Sequence, residues 1–116
     1  MAEFRIFHNP RCSKSRQTLA LLEQHGVAPE VVLYLDTPPN RDELEALLRK
    51  LGKSPQEVVR RGEDEYKAAG LDRSSSDEAV VSAMVKHPRL IERPIVVRGD
   101  RAVLGRPPEN VLELLD

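Results

Sequence analysis

Only one of the 116 residues is a cysteine. That excludes an internal disulfide and any metal centre built on several thiolates, and it fits a reducing compartment. Aromatic residues are scarce at 3%, so the core has to be built from Leu, Val, Ile and Ala. A formal net charge of −1 supplies no global positive field and argues against nucleic-acid binding. The chain opens without a signal-like apolar segment, and no run approaches the length needed to span a membrane. A cytoplasmic protein is therefore expected, and a monomer by default. The three histidines are scattered, with no cysteine at metal-ligand spacing, so no metal is expected. What is present is ordinary for a soluble globular protein: 40% hydrophobic and 32% charged residues, and length for one domain with its own core.

Taken in order, the pattern alternates between strand and helix. Phe4 and Ile6 lie in a short buried strand, broken by His8-Asn9-Pro10. A helix is predicted from Lys14 to about His25, closed by Gly26. Val31 to Leu35 is a continuous apolar run between prolines and reads as a strand buried on both faces, parallel to the first. A helical middle follows. Asn40 and Glu43 form a capping-box-like start to a helix with Leu44, Leu47, Leu48 and Leu51 on one stripe. Ser54-Pro55-Gln56-Glu57 starts a short helix ending near Arg60-Arg61-Gly62. Glu63 to Ala69 makes another, with Tyr66 as a core residue, and Ser74-Ser75-Ser76 precedes a helix carrying Val80, Ala83 and Met84. Ile95–Val97 and Ala102–Leu104 flank a Gly99-Asp100 turn and read as a hairpin. A last helix carries Val111, Leu114 and Leu115. The order is βαβ, a helical insert at about 40–88, then ββα, within a single domain over 1–116. It suggests an α/β fold with a mixed, thioredoxin-like sheet and its reactive cysteine at the start of the first helix.

Cys12 sits where the first loop becomes the first helix. Amides in the first turn of a helix lack intrahelical partners, and the helix dipole adds positive potential there. Free cysteine titrates near ~8.5, and at helix N-termini or beside cations values of roughly 3.5–7.5 occur. His8, Arg11, Lys14 and Arg16 surround Cys12 with groups that are or can become positive. Pro-Arg before it and Ser-Lys-Ser after it are poor company for a core residue. The loop is suited to holding an oxyanion and to activating a nucleophile.

Several separated motifs then carry a resemblance. His8-Asn9-Pro10-x-Cys12-x-x-Ser15-Arg16, Tyr34-Leu35-x-Thr37-Pro38-Pro39-x-Arg41-x-Glu43-Leu44 and Arg93-Pro94-Ile95-Val96-Val97 occur in the order found in the glutaredoxin-coupled arsenate reductases. The chain resembles that family from about Ile6 to Leu115. The resemblance implies a thioredoxin-like fold with a four-stranded mixed sheet and a cis Pro94 packed near the cysteine loop.

It also implies a site. Cys12 would be the nucleophile, and Arg60, Arg93 and Arg106 would bind arsenate, since guanidinium forks match the geometry of an oxyanion. Arg61 is adjacent to Arg60, and a one-residue slip in the helix would exchange them. Arg5, Arg41, Arg49 and Arg89 read as solvated surface charges. His8 is either a histidine that lowers the cysteine pKa, directly or through a hydrogen bond, or a structural cap at a strand end. Ser15 either donates to the thiolate or satisfies backbone at the helix start. His25 and His87, at helix C-termini, read as structural.

By the same resemblance, Cys12 attacks arsenate, glutathione attacks the arsenic, glutaredoxin removes the glutathione, and arsenite leaves. No cofactor is bound; glutathione is a co-substrate and glutaredoxin a partner. Such members often carry Gly-Thr where this chain has Ser13-Lys14. Two alternatives stand beside this reading. One is a monothiol glutathione-dependent oxidoreductase with another substrate. The other is a non-enzymatic RNA-polymerase-binding regulator of the same superfamily, which would ordinarily need a second cysteine at position 15.

Overall fold

Phe4–His8 (β1) alternates apolar side chains with Arg5, and every position except Arg5 is buried. The reason is its place in the sheet. The computed structural model, which describes residues 3–115, orders the four strands β2-β1-β3-β4, where β2 is Glu30–Leu33, β3 Ile95–Arg98 and β4 Arg101–Leu104. β1 runs parallel to β2, with Ile6 opposite Val31, and antiparallel to β3, with Ile6 opposite Val96. β3 and β4 form the hairpin expected around Gly99-Asp100, with Val96 opposite Val103. This is the mixed four-stranded sheet expected from the sequence.

The chain divides into two compact units. One comprises Met1–Thr37 with Arg93–Asp116; the other is Pro38–Glu92. In the first, α1 (Ser13–Gln24) crosses over between β1 and β2. It stops where expected: Gly26 takes φ +78°, and the amides of Gly26 and Val27 donate to Glu23 O and Leu22 O, both at 3.0 Å. That is a Schellman closure, which needs the left-handed residue glycine adopts without cost. Phe4, Ile6, Leu22, Val96, Val111 and Leu114 form one buried cluster. The Arg93–Pro94 bond is cis, as the resemblance implies, and so is Arg106–Pro107.

Two expectations in this unit are corrected. The strand read over Val31–Leu35 ends at Leu33, where the amides of Asp36 and Thr37 fold back onto Leu33 O. It is not buried on both faces either: Val31, Leu33 and Leu35 are 44%, 41% and 41% exposed. β2 is an edge strand, and the apolar cluster draws on β1, β3 and β4 but on no residue of β2. The last helix is 3-10, not α, over Pro108–Leu114. Its buried residues Pro108, Val111 and Leu114 are spaced by three, the 3-10 period, and Leu115, just past its end, packs half-buried against the same cluster.

The second unit holds α2 (Arg41–Leu51), α3 (Pro55–Val58), α4 (Asp64–Ala68) and α5 (Asp77–Lys86). The capping box of α2 forms in both directions, Glu43 N to Asn40 Oδ1 at 2.9 Å and Asn40 N to Glu43 Oε1 at 3.0 Å. Ser76 caps α5 through the Ala79 amide. Leu44, Leu47, Val58, Tyr66, Val80 and Met84 are buried. α3 is shorter than expected. After Val58 the chain turns extended, because Val59 bridges Ile91 and Arg60 N donates to Leu90 O.

Candidate active site

The loop after β1 is shaped by Asn9. Its carbonyl accepts the Cys12 amide at 3.0 Å and its Oδ1 accepts the Arg11 amide at 3.0 Å. Its own amide donates to Ser15 Oγ at 3.0 Å. Cys12 is extended (φ −93°, ψ 122°) while its carbonyl already accepts the Arg16 amide, which makes it the N-cap of α1. A serine or aspartate there would bond its oxygen to the first free amides; here the sulfur faces them. Arg16 closes the outside of the loop by donating to Pro10 O at 2.9 Å.

The electrostatics follow from that placement. Burial pushes the Cys12 thiol up, but it is outweighed by the Ser15 amide, the Arg93 side chain, the Lys14 amide and the charge on Arg93, and the pKa falls. Arg106 Nη2 lies 3.8 Å from Sγ. Arg106 Nε donates to Arg93 O at 3.0 Å, so the two Arg–Pro loops hold each other. Asn110 Nδ2 donates to Arg106 O and Leu104 O, fixing the second loop from the far side. A half-exposed thiol thus meets two guanidinium groups and the start of a twelve-residue helix. That is a sulfur whose ionised form is favoured and has donors arranged around it, suited to attack on a tetrahedral oxyanion.

His8 and Ser15 join the site one layer back. His8 Nδ1 is 2.6 Å from Ser15 Oγ, and both side chains are buried. Burial, then the nearby charge of Arg16, lowers the His8 pKa. Ser15 Oγ also accepts the Asn9 amide, so the one hydroxyl is shared between the His8 ring and the loop backbone. The Ser15 hydroxyl therefore serves His8 and the loop backbone, while the Ser15 amide serves the sulfur.

A stability measurement follows from the His8 shift. Because the folded-state pKa lies below the unfolded value of about 6.5, the unfolded chain binds the proton first. Stability from this group is whole above ~6.5 and is lost as pH falls from there through the folded pKa. Urea titrations at pH 7.5 and 5 should show a drop for the native protein that is smaller in His8→Gln. Equal drops in both proteins would remove His8 as its source.

The structure brings His8, Cys12, Ser15, Arg93 and Arg106 together in one unit. Arg60, in the other unit, is half-buried, with Nε 3.0 Å from Glu63 Oε2 and Nη1 2.5 Å from Glu92 Oε1. Arg61 is exposed and donates to Gln56 O. Asn9, which shapes the loop, was not singled out from sequence; an asparagine before proline at a strand end is a turn signal that pointed to it. Among the described residues no group of three or more His, Cys, Asp or Glu is placed to hold a metal ion.

Comparison with known proteins places this geometry among relatives. The ArsC family model matches residues 7–114. The uncharacterised protein YfgD of Escherichia coli K12 is 55% identical over 115 residues, 97% of each chain. An arsenate reductase of Neisseria meningitidis is 50% identical over 117 residues, covering 99% of this chain and 100% of its own. The solved structure of an arsenate reductase from Vibrio cholerae superposes with a TM-score of 0.91 at 51% identity, covering 97% of both chains.

Proposed function

Because the chain belongs to the ArsC family, we propose that it is an arsenate reductase in which Cys12 is the nucleophile and glutathione and glutaredoxin supply the electrons. The observation that carries the reading is the Cys12 sulfur facing the Lys14 and Ser15 amides with Arg93 and Arg106 beside it. Thiolate attack on arsenic forms a sulfur–arsenic bond and releases one oxygen as water. The adduct's charge is met by the two guanidiniums and the helix start. Within its own unit, Glu63 and Glu92 hold the Arg60 guanidinium.

A second thiol, from glutathione, displaces another water at arsenic. Glutaredoxin then takes the glutathione sulfur, and the bonding pair stays on arsenic, which passes from As(V) to As(III). Hydrolysis frees arsenite and Cys12. External thiols are required because the chain has one cysteine, and a lone reduced thiol fits a cytoplasmic setting.

The experiment is steady-state arsenate reduction by the purified protein, omitting each thiol partner in turn. Turnover needing both supports the scheme. Turnover with glutathione alone, or with an unrelated dithiol equally well, would remove glutaredoxin from it. No turnover in the complete mixture rejects arsenate as substrate.

A further inference from the structure

Gly105 lies between β4 and the closing 3-10 helix, directly before Arg106. Its amide donates to Pro94 O at 2.9 Å, and its carbonyl accepts from Thr18 Oγ1 at 3.3 Å. Thr18 is fully buried in α1, six residues after Cys12, and its hydroxyl also meets Lys14 O at 2.8 Å. A Cβ at position 105 would stand 2.5 Å from Thr18 Oγ1, 2.9 Å from Thr18 Cγ2 and 2.8 Å from Pro94 Cγ, all below the 3.0 Å that real Cβ atoms keep. None of these atoms is the end of a flexible side chain. Threonine is stiff at χ1 within a helix, and the proline ring is fixed to its own backbone. Gly105 is not among the residues with positive φ, so closeness, not backbone conformation, is what calls for glycine here.

We propose that Gly105 is a positioning residue: the missing side chain lets α1 and the two Arg–Pro loops approach to the separation at which Arg93 and Arg106 reach the Cys12 sulfur. Arg93 immediately precedes Pro94 and Arg106 immediately follows Gly105, so any shift that relieves a Cβ moves one guanidinium or both. The Lys14 and Ser15 amides belong to α1 and travel with Cys12. Displacement therefore removes the arginine share of thiolate stabilisation and leaves the helix share in place, which general loosening of the fold would not do.

The test is the pH dependence of Cys12 alkylation by iodoacetamide in the full-length protein, with folding checked by circular dichroism. In Gly105→Ala the midpoint should rise by roughly one pH unit, the size one close opposite charge contributes. Below both midpoints that means about tenfold less thiolate at a given pH. Thr18→Ala should stay near the native midpoint. The double variant Gly105→Ala/Thr18→Ala lacks two of the three obstructing atoms and should return most of the way. A folded Gly105→Ala protein with the native midpoint overturns the proposal, as does a double variant no better than Gly105→Ala. If Gly105→Ala does not fold, the double variant decides: folded and close to Thr18→Ala supports the proposal, unfolded overturns it. The inference rests on Cys12 being the reacting sulfur, but the assay contains no arsenate, so its failure and failure of the proposed substrate are told apart.

Discussion

Cys12→Ser should lower arsenate turnover by at least about a thousandfold, to the level of buffer, since the nucleophile of a covalent mechanism is a residue whose loss is not shared out among others. The serine hydroxyl has nearly the shape of the thiol, but it stays protonated where a thiolate forms. The helix amides and Arg93, which lower the cysteine pKa, do not bring a hydroxyl into range. The fold should be indifferent. Cys12 is half-exposed, its backbone bonds to Asn9 and Arg16 involve no side-chain atom, and serine is a good N-cap. Thermal unfolding should shift by no more than a few degrees, roughly what 1 kcal/mol or less produces in a domain of this size. Activity and melting measured on the same preparation check both halves. Turnover surviving in the Cys12→Ser protein would end the assignment of the nucleophile.

The next largest effect is expected at the arginines. Arg93→Ala and Arg106→Ala should each reduce kcat/KM for arsenate by about 10²–10³, the loss typical when one preorganised donor is removed from a developing oxyanion. Arg49→Ala, an exposed position on α2, should change it less than about twofold, as surface substitutions away from a site do. The two arginines should also differ from each other. Arg93 holds the sulfur by both charge and hydrogen bonding, so Arg93→Ala raises the alkylation midpoint as well as slowing turnover. Lysine should rescue neither fully, because a point charge cannot replace a planar fork. Steady-state kinetics on the native protein and these five variants test this. Equal losses at Arg93, Arg106 and Arg49 would reduce the effect to net charge.

How much of this was legible beforehand depends on how local the cause is. The strand–loop–helix around Cys12, the capping box at Asn40 and Glu43, the Gly26 stop and the Gly99-Asp100 turn are each written within five or six residues, and each formed. The exposure of Val31, Leu33 and Leu35 was not legible. An apolar run carries no mark of whether its strand lies inside a sheet or at its edge. The 3-10 winding of Pro108–Leu114 was hidden similarly, because Val111 and Leu114 satisfy a period of three as well as one of 3.6. Ser15 was found, but the division between its hydroxyl, bonded to His8 and Asn9, and its amide, facing the sulfur, needs the loop's three-dimensional path. Thr18 and Gly105 meet across 87 residues of sequence, a separation over which no spacing rule operates.

The unit that holds the site is assembled from two separated stretches of chain, with Pro38–Glu92 between them. This has a consequence during synthesis on the ribosome. Cys12 emerges early, and the helix that begins beside it can form from local contacts, but Arg106 lies 94 residues further on. Until that residue has been translated and β3 and β4 have paired against β1, the sulfur lacks its guanidinium neighbours. A nascent chain therefore carries a thiol with at most the helix amides to lower its pKa, closer to ordinary reactivity, and the arginine share of the activation is added when the far stretch closes onto the near one.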